Sequence, residues 1–295
     1  MKKFIISIPV YNDWKSVFKL LENIDEQIKN WNAEVSVLIV NDASTEERPK
    51  TEISFKKIKS VRVVNMKQNR GHARCNAAGL KYLTEKENFD YVILMDGDGE
   101  DRPEELTPLF NKSKENPSKA VTLDRIKRSE GPFFNLLYEC HKILTYIFTG
   151  KLIKFGNYSC LPTEEAARLA KEAFIWSSFS GSVTKVIPDR VSVPSIRGPR
   201  YFGPSQMNLF DLLIHSFSII AVFRGAVIVR SVLFLIFYLF FIYSNLSIIT
   251  LFPVLAVLIF LLSIFKVSSR ENIEELNNSL ENIGSIDVLS DLNSG

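Results

Sequence analysis

Residues 91–103 read Tyr-Val-Ile-Leu-Met-Asp-Gly-Asp-Gly-Glu-Asp-Arg-Pro, and this stretch decides the fold. Tyr91 to Met95 has the look of a buried strand, β-branched and aromatic at its start and without a charge. It runs straight into Asp96, Asp98, Glu100 and Asp101. Carboxylates crowded just past a strand repel one another, so a cation is expected among them. Hard oxygen donors at i, i+2 and i+4 suit Mg²⁺ or Mn²⁺, ions that commonly bridge to substrate phosphates. A bare Asp-x-Asp is equally a solvated turn, so the neighbouring segments must decide.

Phe4 to Pro9 predicts a strand that ends at Pro9 in a polar turn, Tyr11-Asn12-Asp13. Val17, Leu20, Leu21, Ile24 and Ile28 then fall at helical steps. Val35–Val40 is a second strand, capped by Asn41-Asp42-Ala43-Ser44-Thr45, and Val61–Asn65 a third. Gln68 to Ala73 leads into a helix through Ala77, Ala78, Leu80 and Leu83, and Tyr91–Met95 follows as the fourth strand. The order predicts an α/β fold, a mostly parallel sheet with helices on its faces. Ligands in such folds sit beyond the carboxyl ends of the strands, so Tyr11, Asp13, Asp42 and Asp96–Asp101 are expected at one site.

Four motifs in this order, Pro9-Val10-Tyr11-Asn12-Asp13, Val40-Asn41-Asp42-Ala43-Ser44-Thr45, Asn69-Arg70-Gly71-His72-Ala73-Arg74 with Asn76-Ala77-Ala78-Gly79-Leu80, and Met95 to Leu106, resemble family-two glycosyltransferases with the Rossmann-like GT-A fold. Within them the chain resembles polyprenyl-phosphate glycosyltransferases, the dolichyl-phosphate-mannose-synthase and bactoprenol-glucosyltransferase group, over roughly residues 1–266. The resemblance implies a donor site of Pro9, Tyr11, Asp13, Val40, Asp42, Asp96, Gly97, Asp98 and Arg125. It implies a divalent ion, Mg²⁺ or Mn²⁺, on Asp96, Asp98 and Glu100. Arg125 and Arg200 would neutralise phosphates, and Arg128, Arg200, Ser205 and Gln206 would meet the acceptor. Asp96, Asp98, Asp101, Arg125 and Arg200 form the implied catalytic set, with Asp101 as the nearest base if the acceptor were a sugar hydroxyl. Transfer by single displacement with inversion is implied as well.

The chain departs from the family pattern at three places. Asn41 replaces an acid. Gly156-Asn157-Tyr158-Ser159-Cys160-Leu161 lacks the acid and the arginine of the usual Gly-Asp-Phe-Arg-Leu. Gln206 stands where a phosphate-binding lysine is usual, which keeps a donor but loses the charge. The changes at Asn157, Ser159 and Gln206 bear on the acceptor more than on the donor.

The carboxyl third predicts a membrane anchor. Ala226–Tyr243 and Leu246–Phe265 are apolar runs near the ~20 residues that cross a hydrocarbon core, apart from Arg230 near one end. Joined at Ser244-Asn245, they form a hairpin. Arg224 and Arg230 precede it and Lys266 and Arg270 follow it, so the positive-inside rule puts both ends, and the catalytic domain, in the cytoplasm. Arg230 is expected to snorkel to that face. Residues 206–225 carry Asn208, Asp211, His215 and Ser218 on one helical face and Leu209, Leu212, Leu213, Phe217 and Ile220 on the other. Such a helix either lies in the interface or packs on the catalytic domain.

The resulting organisation is a GT-A domain (1–205), a juxtamembrane helix (206–225), two spans (226–266) and an acidic tail (267–295). The net charge of +3 hides an asymmetry, because the tail after Arg270 holds six acids and no base. A basic body suits anionic lipid and phosphate ligands. Within the tail a short helix is expected, ending in a mobile Asn- and Ser-containing segment. The stretch Phe55 to Lys59 reads as a solvated edge. Cys75, Cys140 and Cys160 form no metal spacing and fit a reduced compartment. His72, His141 and His215 are scattered, and His72 reads as a loop residue. Nothing points to nucleic-acid recognition.

The leading expectation is a membrane enzyme that moves a sugar from a nucleotide-sugar to a polyprenyl phosphate. Two alternatives stay open: extension of a lipid-linked or surface glycan, and a non-catalytic nucleotide-sugar-binding membrane protein. The sugar, the base and the oligomeric state, a homo-oligomer included, are not specified by the sequence.

Overall fold

The computed structural model describes residues 1–50, 54–127, 132–203 and 209–292. Eight strands form one sheet: β1 (Lys2–Val10), β2 (Ala33–Asn41), β3 (Ile58–Met66), β4 (Tyr91–Leu94), β5 (Ala120–Lys127), β6 (Ser159–Pro162), β7 (Arg190–Ile196) and β8 (Ile283–Asp291), in the order β7-β5-β6-β4-β1-β2-β3-β8. β1 pairs in parallel with β2 and β4, β2 with β3, and β5 with β7, whereas β6 and β8 run antiparallel to their neighbours.

The helices are α1 (Trp14–Gln27), α2 (His72–Lys86), α3 (Leu106–Glu115), α4 (Pro132–Thr149), α5 (Thr163–Leu169), α6 (Phe179–Val186), α7 (Leu209–Ala221), α8 (Arg224–Ile242), α9 (Ile248–Ser268) and α10 (Ile273–Asn277). Residues 4–10 of β1 are all buried, as expected for a central strand covered on both faces. Phe4, Ile6 and Ile8 join one core with α1 and α3, while Ile5 joins the other with α2. Gly79 lets α2 lie close on the sheet, since a Cβ there would stand 2.7 Å from Val40 Cγ2.

Pro9 does not end the first strand. It pairs with Val40 inside β1, which runs on to Val10. The basic stretch before β3 is not simply a solvated edge either. Phe55 and Ile58 are buried, and the Asp25 carboxylate accepts the N–H groups of Lys56, Lys57 and Ile58 at 2.8–2.9 Å.

The acidic tail gives the largest correction. After the short helix α10, residues 283–291 add an antiparallel edge strand to β3, while the Asn-, Ser- and Gly-containing end expected to be mobile, residues 293–295, lies outside the described residues. Ile283, Ile286, Val288 and Leu289 supply β-branched and apolar side chains for that edge, and Leu289 packs on the core. Glu275 and Leu276 anchor α10: Trp176 Nε1 donates to Glu275 Oε2 at 2.8 Å and Leu276 is fully buried.

α8 and α9 are long and apolar enough to cross a membrane, and their outer faces are bare: Phe241 is 75 % and Ile248 90 % exposed. The turn is closed by a capping box, with Ser247 Oγ accepting Thr250 N–H at 3.2 Å and Thr250 Oγ1 accepting Ser247 N–H at 2.8 Å. The helix before the hairpin, α7, packs both on α6 of the catalytic unit and on α9. α4 lies against α7 and α8 and exposes Ile143, Leu144, Tyr146 and Ile147. The Arg230 guanidinium donates to the Ile147 carbonyl at 3.0 Å and closes the carboxyl end of α4. Gly150, at φ +72°, makes room for it.

Candidate active site

The site is assembled at the carboxyl ends of β1, β2 and β4. Past β1, Asn12 adopts φ +51°, and its side-chain oxygen accepts the N–H groups of Thr45 (2.8 Å) and Glu46 (3.1 Å). The turns after β1 and β2 are thus one unit. Asn41 explains the first departure from the family pattern: its Nδ2 donates to Asn65 Oδ1 at 2.9 Å, a bond that an aspartate could not make. Both oxygens of buried Asp42 accept backbone N–H groups, from Arg70 (3.0 Å) and Gly71 (2.8 Å), and so fix the entry to α2. Burial holds its pKa above the ordinary value despite these bonds.

After β4 the chain turns through Gly97, where a Cβ would come within 3.0–3.1 Å of Pro9 O, Val17 and Ile8, and through Gly99 at φ +89°. This tight loop gathers the acids. Buried Asp101 accepts the Asp96 N–H at 2.9 Å and lies 3.9 Å from Arg125. Asp96 Oδ1 faces two groups, Asn157 Nδ2 at 3.0 Å and His72 Nε2 at 3.2 Å. Asp98 accepts the Glu100 N–H at 3.0 Å on one oxygen and Arg200 at 2.7 Å on the other. The second nitrogen of Arg200 reaches Asp13 at 2.9 Å, and Arg197 pairs with Glu100.

Residues 198–201 run alongside this loop as a strap. Gly198 N–H donates to Glu100 O and Tyr201 N–H to Asp98 O, each at 2.9 Å, and Tyr201 accepts from Asn23 at 2.8 Å through its hydroxyl.

The electrostatics follow from crowding. Burial, then the charges of Asp96 and Glu100, raise Asp98 to about 6. Burial and Asp96 raise Asp101 to about 7. Burial opposes the charge of Asp96 too, but His72, Asn157 and Arg125 outweigh it and hold Asp96 ionised well below the usual range. Burial likewise opposes a proton on His72, and Asp96 prevails by raising its pKa. Five carboxylates, Asp13, Asp96, Asp98, Glu100 and Asp101, thus stand among three arginines, Arg125, Arg197 and Arg200.

Among the described residues no three His, Cys, Asp or Glu side chains close around a point where an ion would sit. The donor chemistry nevertheless fits a hard divalent ion at Asp96 and Asp98: oxygen ligands, one of them with a pKa raised by burial and then by the neighbouring carboxylates. Each of the three carboxylates expected to hold the ion has a partner here, Asp96 with Asn157 and His72, Asp98 with Arg200 and Glu100 with Arg197.

Asp13, Asp96, Asp98, Asp101, Glu100, Arg125 and Arg200 thus meet as the sequence suggested. Tyr11 lies on the surface beside them, 48 % exposed. Val40 does not present its side chain to the site: it is buried beneath Gly79. Arg128, Ser205 and Gln206 fall outside the described residues. Sequence reasoning missed His72, Arg197 and Tyr201 as members of the site. Gly71 before His72, and Gly198-Pro199 before Arg200, were the available signals of a chain turning toward a ligand.

A family model described as glycosyl transferase family 2 matches residues 5–173, more than half of the chain. The protein is a family-two glycosyltransferase. A curated relative, the undecaprenyl-phosphate 4-deoxy-4-formamido-L-arabinose transferase of Klebsiella pneumoniae (strain 342), is 26 % identical over 220 residues, covering 72 % of this chain and 65 % of that protein. The match thus spans just under two thirds of the relative's length.

Among solved structures the family-two chain is similar to glucosyl-3-phosphoglycerate synthase from Mycobacterium tuberculosis, crystallised with Mn²⁺, UDP-glucose and phosphoglyceric acid. The TM-score is 0.54 at 13 % identity, over 77 % of this chain and 80 % of that one. It is similar to mannosyl-3-phosphoglycerate synthase from Rubrobacter xylanophilus as well (TM-score 0.54, 15 % identity, 75 % and 72 % covered). The mannosyltransferase PcManGT from Pyrobaculum calidifontis, in complex with GDP-Man and Mn²⁺, gives 0.50 at 16 % identity over 96 % and 76 %. These likenesses establish the GT-A fold.

Proposed function

We propose that this family-two enzyme transfers a sugar from a nucleotide-sugar to a polyprenyl phosphate at a membrane surface. The observation that carries the reading is the over-charged acid loop Asp96–Asp101 at the strand ends, built into the same body as an apolar helix hairpin. The acceptor named for the Klebsiella relative, undecaprenyl phosphate, supports it.

When bound, Mg²⁺ or Mn²⁺ on Asp96 and Asp98 would offset the charge of the departing diphosphate. The chain's own residues do the rest. Asp101 holds the Asp96 backbone and so fixes the loop. Arg200 shares its charge between Asp98 and Asp13, and Arg125 stands beside Asp101 with positive charge for a phosphate. An acceptor phosphate is already ionised near neutral pH, so its oxygen attacks the anomeric carbon without a strong base. The bond from that carbon to the diphosphate oxygen breaks, and the nucleoside diphosphate leaves with the electron pair.

The domain organisation proposed is a catalytic unit over 1–205 completed by the returning strand 283–291, a juxtamembrane helix over 206–225 and spans within 226–266. The return of residues 283–291 to the catalytic sheet supports a topology in which both ends of the hairpin lie on one side. Arg224, Arg230, Lys266 and Arg270 at those ends favour the cytoplasmic side.

The test incubates full-length protein in nanodiscs with a panel of labelled nucleotide-sugars and polyprenyl phosphate, with and without Mn²⁺. Acid-labile label in a single-sugar lipid, dependent on the ion, is the expected result. Label confined to longer glycans, or none with any donor, rejects the reading.

A further inference from the structure

Where the last turn of α6, the first turn of α8 and the carboxyl end of α9 come together, at the foot of the hairpin, lies a cavity of about 500 Å³. Lys185 and Arg224 line it with charge, Phe223, Ile228 and Phe265 with apolar surface, and Gly225 with bare backbone. Its volume suits a small ligand or the head of a larger one. None of its lining residues belongs to the acid loop, the 198–201 strap or the turn of Asp42, so it is separate from the candidate active site.

Both cations are held by the fold without being used up by it. The Lys185 ammonium donates to the Val222 carbonyl at 3.0 Å and stands 4.1 Å from the centre of the Phe174 ring. That bond takes one of its three N–H groups. Arg224 donates through a single nitrogen to Glu271 Oε2 at 2.6 Å, and its side chain remains about half exposed. Glu271 Oε1 is buried with no hydrogen-bond partner among the described residues, so the pair is not the two-bond fork that would occupy the guanidinium. Capping α7 and pairing with Glu271 account for the two side chains one at a time. Neither accounts for the open space that both line, and a Cβ on Gly225 would meet nothing within 4 Å.

The apolar wall continues onto the outside of the hairpin. Ile228 is followed one turn on by exposed Val232, and exposed Phe265 is preceded one turn back by exposed Leu262. A ligand that matches the whole surface is anionic at one end and hydrocarbon at the other. The span ends also carry Arg230, Lys266 and Arg270, and basic pockets at such ends attract the anionic headgroups of the surrounding bilayer. A bilayer lipid reaches this place from the side, without passing the acid loop.

We infer that the cavity binds an anionic phospholipid, with Lys185 and Arg224 on its phosphate and Phe223, Ile228 and Phe265 against the start of an acyl chain. The bound lipid ties α6 of the catalytic unit to the first turn of a span. The inference rests on the membrane placement of the hairpin and not on the proposed reaction.

The experiment titrates full-length protein in mild detergent with dioleoyl phosphatidylglycerol, dioleoyl phosphatidylcholine or farnesyl phosphate, with inorganic phosphate as a competitor. Native mass spectrometry counts the bound lipid. Wild type is expected to hold one phosphatidylglycerol about 10-fold more tightly than phosphatidylcholine. Lys185→Gln/Arg224→Gln is expected to abolish that preference. Lys266→Gln/Arg270→Gln, which removes the same charge away from the cavity, is expected to keep it. Gly225→Leu fills the open space, keeps both cations and favours the helix, so it should weaken phosphatidylglycerol binding as much without lowering the melting temperature. Unchanged preference in the Lys185/Arg224 pair or in Gly225→Leu overturns the inference, as does an equal loss in the Lys266/Arg270 pair. Tighter binding of farnesyl phosphate would give the cavity to the acceptor, and full displacement by inorganic phosphate would make it a bare anion site; either overturns the inference. Failure to insert into nanodiscs would overturn the membrane reading together with this site. Normal insertion and sugar transfer without a phosphatidylglycerol preference would overturn the site alone.

Discussion

Arg200 donates to Asp98 at 2.7 Å with one guanidinium nitrogen and, with the other, reaches Asp13 at 2.9 Å. One cation from the strap after β7 thereby joins the acid loop after β4 to the turn after β1. A lysine could place a charge there but not two directed bonds. Arg200→Lys is expected to lower kcat/KM by about 10-fold, chiefly through the donor KM, and Asp98→Ala by about 10²–10³-fold, the scale for losing one electrostatic stabiliser. Nucleotide release assays decide it. Full turnover by Asp98→Ala means that the acid loop is not the donor site.

Asp101 makes the pH behaviour of the fold testable. Its pKa is pushed up to about 7 and that of Asp98 to about 6, so both bind protons more readily folded than unfolded. The sign follows: their contribution to stability is full below about 4, the unfolded carboxylate value, and is lost as pH rises through about 6–7. Asp96, shifted the other way, contributes throughout that window. Without added divalent ion, wild type should lose thermal stability between pH 4 and 7 more steeply than Asp101→Asn, which keeps an acceptor for the Asp96 N–H. Parallel melting curves for the two proteins would show that Asp101 is not protonated in the fold.

Much of this was legible in the sequence because the strands of a central parallel sheet are apolar runs whose polar ends fall where ligands bind. Tyr91–Met95 against Asp96–Asp101 is that signal at its strongest and placed Asp13 beside the acid loop, whereas Arg125 and Arg200 were implied by the family resemblance alone. Contacts that depend on distant residues were not legible. Asn157 looked like a change in the acceptor pocket, yet it donates to Asp96 at 3.0 Å, 61 positions away. Val40 matched a donor motif, but strand alternation turns its side chain under Gly79. The acidic composition of the last residues hid their strand, because edge strands tolerate charges on the outward face.

Gly99 and Gly203 form a matched pair for testing the strap. Both have positive φ, +89° and +67°, so alanine is strained at either by about 1–2 kcal/mol. Only at Gly99 would the new Cβ meet the Tyr201 ring, 2.6 Å away, while at Gly203 nothing lies within 4 Å. Tyr201 is held by Asn23 at 2.8 Å and adjoins Arg200. Gly99→Ala is thus expected to cut transfer about 10-fold or more by moving the strap, and Gly203→Ala to cost a little stability with activity kept. Equal activities for the two variants would remove the strap from the site.

The edge strand β8 gives the last prediction. Removing residues 271–295 deletes the strand that covers β3, the fully buried Leu276 and the Glu275 carboxylate that accepts from Trp176 and lies 3.5 Å from Arg70. An uncovered β3 offers unpaired N–H and C=O groups to other chains. The truncated protein is expected to melt lower and to self-associate in detergent, even though its acid loop and hairpin are intact. Leu276→Ala separates packing from pairing: it should cost about 2–5 kcal/mol through the cavity alone while β8 stays in place and the protein remains dispersed. Differential scanning fluorimetry and size-exclusion chromatography measure both effects. A truncated protein that melts like wild type and elutes unchanged would mean that the tail only rests on the sheet and does not hold it together.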